Sequence, residues 1–285
     1  MMSASATAAP PEVAPPLGAG ALLAPGYEVL DHLHRSNDLD VYDAWSEERD
    51  CRCAAKVLRP DRVEKLSARR RLVREGRLLK RLAHPHIVRA YELIELIEHP
   101  GPVLVLETLM GETLAHLIAE RRQRFPVPDL VCLGIHLCSA VHYLHRHGIL
   151  HLDLKPSNIV AHCGVAKVLD LSIARPPGRS RRRMGTPQYM APEQATRAPL
   201  GPAADVWGLG AVLFEAATGQ RPFETQATAE GRLRYEQLER RAAPVRSLRR
   251  RLPSDLAALI DRCLEREPAR RPAVEELAGA LKALV

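Results

Sequence analysis

The chain has 285 residues, 46% of them apolar, enough to bury a sizeable core in one large domain or two lobes. Its 41 Lys and Arg against 34 Asp and Glu leave a net charge of +7, which suits acidic partners or a plain solvated basic surface; no aromatic-and-basic pattern points to nucleic acid. No run of about 18 apolar residues encodes a membrane span, the start lacks the pattern of a secretory signal, and the six scattered cysteines contain no C-x-x-C pair, so a cytoplasmic protein without disulfides or a zinc ribbon is expected.

In chain order, residues 1–25 repeat Ala and Pro with almost no charge and read as a disordered tail, with a domain over 26–285. Tyr27–Leu30, Val41–Trp45 and Arg52–Leu58 read as three short strands of an antiparallel meander, and Lys56 lies near the end of the third. Residues 62–82 change to a helical period in which Leu72, Glu75, Leu79 and Leu82 share a stripe. Glu75 on that stripe needs a cation, either Lys56 or, along the helix surface, Arg71 or Lys80. Residues His84–Val88 are predicted to open a fourth strand, and Val103–Glu107 is a fifth, buried on both faces.

Helices are predicted at 114–124 and across Leu130–Leu144, the latter capped by Gly148. The stretch His151-Leu152-Asp153-Leu154-Lys155-Pro156-Ser157-Asn158 follows. Pro156 disfavours helix at Lys155 and cannot join a strand ladder, which leaves Asp153, Lys155 and Asn158 on an ordered loop. A carboxylate, an ammonium and an amide within six residues can accept a proton, neutralise a phosphate and offer oxygen to a hard cation. Two short strands around Cys163-Gly164 then deliver Asp170. Residues 171–204 read as irregular, and helices are predicted at 205–218, 228–240, 255–265 and 274–284.

The order and spacing of these motifs resemble the protein kinase family, most closely the bacterial serine/threonine kinases of the eukaryotic-like type, over about Tyr27 to Val285. The resemblance implies an α+β, bilobal fold: an N-lobe, 26–109, with a five-stranded antiparallel sheet and one helix, and a mainly helical C-lobe, 110–285. Cys53-Ala54-Ala55-Lys56 matches the V-A-I-K strand, so Lys56 would hold ATP phosphates and pair with Glu75. His151-Leu152-Asp153 with Asn158 matches H-R-D-x-x-x-x-N: Asp153 would take the substrate proton, Lys155 steady the γ-phosphate, and Asn158 ligate magnesium, or manganese in its place. Asp170 stands where D-F-G begins and would be the main metal carboxylate. Gly185–Glu193 matches the segment ending in A-P-E, Asp205–Gly210 the buried helix after it, and Pro268–Pro272 carries an Arg expected to pair with Glu193. By the same resemblance, Val41 and Ala54 above and Val160 below would sandwich the adenine, with Leu106 as gatekeeper and Glu107 and Leu109 as hinge. Serine/threonine protein substrates and ATP are the implied partners.

Departures are equally concrete. His34, Ser36 and Leu39 replace the three glycines that let backbone N–H groups approach phosphate, and Asp38 and Asp40 are expected to bring negative charge toward a negative ligand. Leu171-Ser172 replaces Phe-Gly, and Leu152 replaces the Arg that pairs with a phosphorylated loop. A kinase-like binding module without catalysis is the alternative these changes raise. The run Arg179–Arg183 reads as a solvated basic flap or a docking surface for acidic substrates.

Overall fold

The structure is a computed structural model that describes residues 14–95, 101–120, 124–180, 182–227 and 233–284. Residues 1–13 of the expected tail, 121–123 and 228–232 of two predicted helices, Arg181 of the basic run and Val285 lie outside them. Two compact units emerge: one formed by the chain up to Arg77 with Ala90–Thr108, the other by Leu78–Arg89 with the chain from Leu109 onward.

The first unit holds a six-stranded sheet, one strand more than the five expected. Its strands are β1 (Leu22–Ala24), β2 (Tyr27–Arg35), β3 (Leu39–Ser46), β4 (Cys51–Leu58), β5 (Ala90–Ile94) and β6 (Val103–Glu107), in the order β1-β2-β3-β4-β6-β5, with α1 (Leu66–Leu79) after β4. All neighbours are antiparallel. Side-chain alternation separates the faces. Cys53, Ala55 and Val57 of β4 are buried with Tyr42, Ala44, Val103 and Val105. Ala54 and Lys56 turn to the opposite face, where Lys56 stands across from Val41 and Ala54 across from Leu106.

The additional strand comes from the Ala/Pro-rich stretch. Leu23 and Ala24 join the buried cluster, the Leu17 N–H donates to the Tyr42 hydroxyl at 2.9 Å, and Arg35 donates to the Ala14 carbonyl at 2.7 Å. Order therefore begins before Tyr27: the stretch has an apolar sheet face to cover, which its own weak periodicity does not reveal.

The second unit contains α2 (Leu114–Glu120), α3 (Val127–Arg146), β7 (Ile159–His162), β8 (Val165–Val168), α4 (Pro192–Thr196), α5 (Pro202–Thr218), β9 (Thr225–Ala227), β10 (Leu233–Tyr235), α6 (Val245–Leu248), α7 (Ser254–Cys263) and α8 (Val274–Lys282). Helix α3 is long and apolar enough to cross a membrane by composition. However, Leu130, Leu137, Val141 and Leu144 are fully buried and the helix packs on α5 and α8, so its apolarity serves the core. Helix α5 is buried along most of its length, and a Cβ at Gly210 would lie 2.5 Å from the Cys263 Cβ, so only glycine lets α7 approach so closely.

Two predicted elements are corrected. Residues 84–88 do not open a strand: Ile87 makes an isolated parallel bridge to Val168, and the fourth predicted strand is β5, starting at Ala90. The helix expected over 228–240 is, in its described part, the strand β10 followed by a 3-10 turn at Glu236–Leu238. The six cysteines are free; burial pushes the Cys53 thiol up to about 11 and the Cys138 thiol up to about 12, so both pack as small apolar groups.

Candidate active site

In the first unit, Lys56 Nζ lies 2.8 Å from Glu75 Oε1, and Glu75 is 1% exposed. The choice left open by the helical pattern is thereby resolved: β4 aims Lys56 at the apolar stripe of α1, while Arg71 turns to Asp38 instead. Val41, Ala54 and Leu106 line the same sheet face as Lys56, and Glu107 ends β6 opposite Cys53.

The segment without glycines is a closed hairpin. Ser36 N–H donates to the Leu39 carbonyl at 2.8 Å, and Leu39 N–H donates to Ser36 Oγ at 3.1 Å. No residue from His34 to Val41 takes a positive φ, so the turn does not call on the left-handed backbone that glycine provides. The two aspartates expected to repel a nucleotide are already engaged. Asp40 is buried and accepts both arms of Arg35, at 2.7 and 2.8 Å, with His32 Nε2 at 3.1 Å. Burial would raise the Asp40 carboxyl, but the hydrogen bonds from Arg35 and His32 outweigh it and hold the carboxyl below its ordinary value. Asp38 pairs with Lys65 at 2.5 Å and with Arg71 of α1, and Arg59 holds the Ser36 and Asn37 carbonyls at 3.2 and 3.3 Å. The expected negative field at this loop is therefore compensated within the unit. What remains of the departure is bulk, because His34, Ser36 and Leu39 carry side chains.

In the second unit, the loop before β7 is organised by a carboxylate from α5. Asp205 accepts the N–H groups of His151 (2.9 Å) and Leu152 (2.7 Å) and faces His145 Nε2 at 2.8 Å. That grip holds Leu152 at φ 67°, a left-handed conformation that costs a leucine about 1–2 kcal/mol. Asp153 then stands at the centre of a polar group. Its Oδ1 accepts Thr186 N–H (2.8 Å) and Thr186 Oγ1 (2.7 Å), while Oδ2 lies 3.0 Å from Lys155 Nζ and 3.2 Å from Asn158 Nδ2. Lys155 Nζ also donates to Thr186 Oγ1 at 2.7 Å. Gly185, at φ 113°, would place a Cβ 2.8 Å from the Leu152 carbonyl, so glycine is what lets the segment carrying Thr186 lie against the loop.

Asp170 follows β8 at φ 50°, and its Oδ1 accepts the Ser172 N–H at 2.9 Å. The hydrogen bond from His151 Nε2 to the Leu169 carbonyl (3.2 Å) ties the Asp153 loop to the Asp170 strand end. Asn158 spends both amide hydrogens on Asp153, one on its carbonyl at 2.9 Å, which leaves Oδ1 as a free oxygen donor. Among the described residues no group of three or more His, Cys, Asp and Glu is placed to hold a metal alone. A carboxylate and an amide oxygen, completed by phosphate and water, nonetheless suit magnesium, which seldom takes an all-protein cage. Val160 is buried on β7, and Leu109 is half-buried at the start of this unit.

Thr186 and Asp205 enter the site although the sequence motifs placed them only within longer matches. The signal was Gly185-Thr186-Pro187, whose glycine permits the close approach. Likewise, Arg271 forms the predicted pair with Glu193, at 2.6 and 2.9 Å.

Comparison with known proteins agrees with this geometry. A family model for the protein kinase domain matches residues 27–280. The probable serine/threonine-protein kinase PkwA of Thermomonospora curvata is 34% identical over 185 residues, 63% of this chain and 24% of the relative. Serine/threonine-protein kinase PknB of Mycobacterium tuberculosis is 30% identical over 256 residues, 86% of this chain and 39% of the relative. Serine/threonine-protein kinase PAK 4 of Mus musculus is 32% identical over 181 residues, 61% and 29% of the two chains. The matches thus span well under half the length of these relatives. With its domain match running almost from end to end and the residues of the motifs in place, the chain belongs to the protein kinase family.

Proposed function

We propose that the chain transfers the γ-phosphate of ATP to serine and threonine hydroxyls of protein substrates. The observation that carries this reading is Asp153 held by Thr186, Lys155 and Asn158. A carboxylate so oriented accepts the proton of an incoming hydroxyl as its oxygen bonds to phosphorus and the bond to the leaving diphosphate breaks. Lys155 beside it neutralises charge on the transferring group, and Lys56, kept extended by Glu75, binds the remaining phosphates. Asn158 Oδ1 and Asp170 would hold magnesium, which when bound neutralises the phosphate oxygens. The rival reading, a binding module without catalysis, drew partly on Asp38 and Asp40. Their pairing removes that support, and the side chains of His34, Ser36 and Leu39 remain its basis.

The test is transfer of labelled phosphate from Mg-ATP to a mixture of protein substrates, followed by identification of the modified residue. Label on serine and threonine is expected, and lost in Lys56→Met, whose β4 keeps its ladder while Glu75 loses its ammonium partner. Undiminished transfer by Lys56→Met would show that Lys56 is misassigned.

A further inference from the structure

Gln194, on α4, is 4% exposed, and an amide is buried without penalty only where its hydrogens find acceptors. Both hydrogens are used here. Nε2 donates to the Leu152 carbonyl at 2.8 Å and to the Met184 carbonyl at 2.9 Å, while Oε1 accepts the Ala191 N–H at 2.9 Å. Only this orientation of the amide satisfies its neighbours, because turning it over would set its oxygen against two carbonyls and its hydrogens against an N–H. Space for it comes from Gly185, where a Cβ would lie 3.1 Å from Nε2.

The two carbonyls flank the site. Leu152 precedes Asp153, and Met184 stands two residues before Thr186, whose N–H and hydroxyl meet Asp153 Oδ1. Leu152 is held at both ends of its backbone, its N–H by Asp205 at 2.7 Å and its carbonyl by Gln194. The left-handed φ of 67° is thereby fixed from two sides, and with it the direction in which the chain enters Asp153. Beside Met184, Arg183 Nε donates to the Ala195 carbonyl at 2.7 Å, so α4 grips the segment carrying Thr186 at two consecutive residues. Helix α4 is anchored in turn through Glu193 to the buried Arg271. A chain of buried bonds therefore runs from Arg271 through α4 to both halves of the Asp153–Thr186 contact, and Gln194 is where it divides.

We propose that Gln194 is a positioning residue that sets Asp153 against Thr186 by holding the Leu152 and Met184 carbonyls on the two hydrogens of one amide. The proposal rests on the kinase reading and adds to it a group that touches no reactant. Without those hydrogens the two buried carbonyls lose their donor, and nothing draws the loop and the segment together at this point. Asp153 then meets the incoming hydroxyl at the wrong distance, and a displacement of about 1 Å can cost about 10²-fold in rate. Nucleotide binding, which the same reading gives to Lys56, does not pass through this link.

The experiment compares the intact chain with Q194M, which keeps the length of the side chain without its hydrogens, and with Q194E, which also keeps an acceptor for the Ala191 N–H; should one not fold, the other carries the comparison. Each is assayed well below its thermal midpoint for phosphate transfer from Mg-ATP to a mixture of protein substrates, and by NMR for hydrogen exchange at the Thr186 amide. In both variants the rate at saturating Mg-ATP is expected to fall about 10²-fold with an unchanged KM for ATP. The Thr186 amide, whose acceptor is Asp153 Oδ1, should exchange faster. Leu277→Ala, at a fully buried position of α8, lowers the midpoint through the core alone and should alter neither the rate nor that amide. Wild-type rates in the Gln194 variants, a rise in the KM for ATP as the sole effect, an unchanged Thr186 amide, or a loss matched by Leu277→Ala would each overturn the proposal. Faster Thr186 exchange in both variants of a chain that transfers no phosphate even as wild type would sink the kinase reading alone. Transfer that survives in both variants would sink the positioning role alone.

Discussion

Asp153→Asn should lower phosphate transfer by about 10²–10⁴-fold, the contribution of a positioned general base, while leaving the chain folded. The substitution separates charge from shape. An asparagine Oδ1 can still accept the N–H and hydroxyl of Thr186, now at 2.8 and 2.7 Å from the carboxylate, so the segment after Gly185 keeps its anchor. On the other side the new amide hydrogens would face Lys155 Nζ and Asn158 Nδ2, which both approach Oδ2 as donors. Lys155 keeps the Thr186 hydroxyl but loses its carboxylate partner, and the acceptor for the substrate proton disappears with it. A steady-state comparison of kcat at saturating ATP checks this. A variant within a few-fold of wild type would mean that Asp153 is a structural carboxylate only.

Arg271→Ala should destabilise the second unit by about 3–5 kcal/mol, a large part of the 5–15 kcal/mol that ordinarily holds a domain together. The guanidinium is completely buried. Nη1 and Nη2 grip Glu193 at 2.6 and 2.9 Å, and the remaining donors reach the carbonyls of Ala203 (2.8 Å), Glu265 (2.7 Å) and Arg266 (3.1 Å). Its carbon also lies 5.0 Å from the centre of the Trp207 ring. All of its N–H groups are thus spoken for, and removing them strands the buried Glu193 carboxylate with three carbonyls. Arg271→Lys should recover only part of the loss, since an ammonium cannot reproduce the fork. Urea denaturation reads the effect, and a loss below about 1 kcal/mol would show that the pair contributes no more than a surface bridge.

How much of this was legible in the chain depends on the range of the interaction. The period-2 strands, the helical stripes and the loop around Pro156 are local, and they fall where the sequence puts them. Glu75 on an apolar stripe announced the need for a cation, but Lys56 and Arg71 were equally available until β4 and α1 were packed; Arg71 was taken by Asp38, a partner 33 residues away in the chain. Sequence distance likewise hid the partners of Asp38, 27 and 33 residues away, whereas Arg35 and His32, only five and eight residues from Asp40, reach it across the hairpin formed by β2 and β3. Asp38 and Asp40 look repulsive to a nucleotide when only their neighbours are read, and become neutralised once Lys65, Arg71, Arg35 and His32 are in position. Leu22–Ala24 fared likewise, because its order is supplied by the sheet face that it covers. Near Leu233 a helical period was misleading, since residues 233–235 pair with 225–227 in a hairpin.

The site also shows why Leu152 need not disable the loop. An arginine at this position could have paired with a phosphorylated segment. Here Thr186 already binds Asp153 and Lys155 through an unmodified hydroxyl. Asp205 fixes the loop from behind.

The central claim, that a hairpin closed by ion pairs and lacking glycine still serves a nucleotide-using kinase, is tested most directly by thermal denaturation of the intact chain with and without Mg-ATP. A saturable rise in midpoint is expected, equivalent to about 2.7 kcal/mol when the nucleotide stands at about 100 times its Kd. An unchanged midpoint at millimolar Mg-ATP would contradict the claim and leave the binding-module reading in its place.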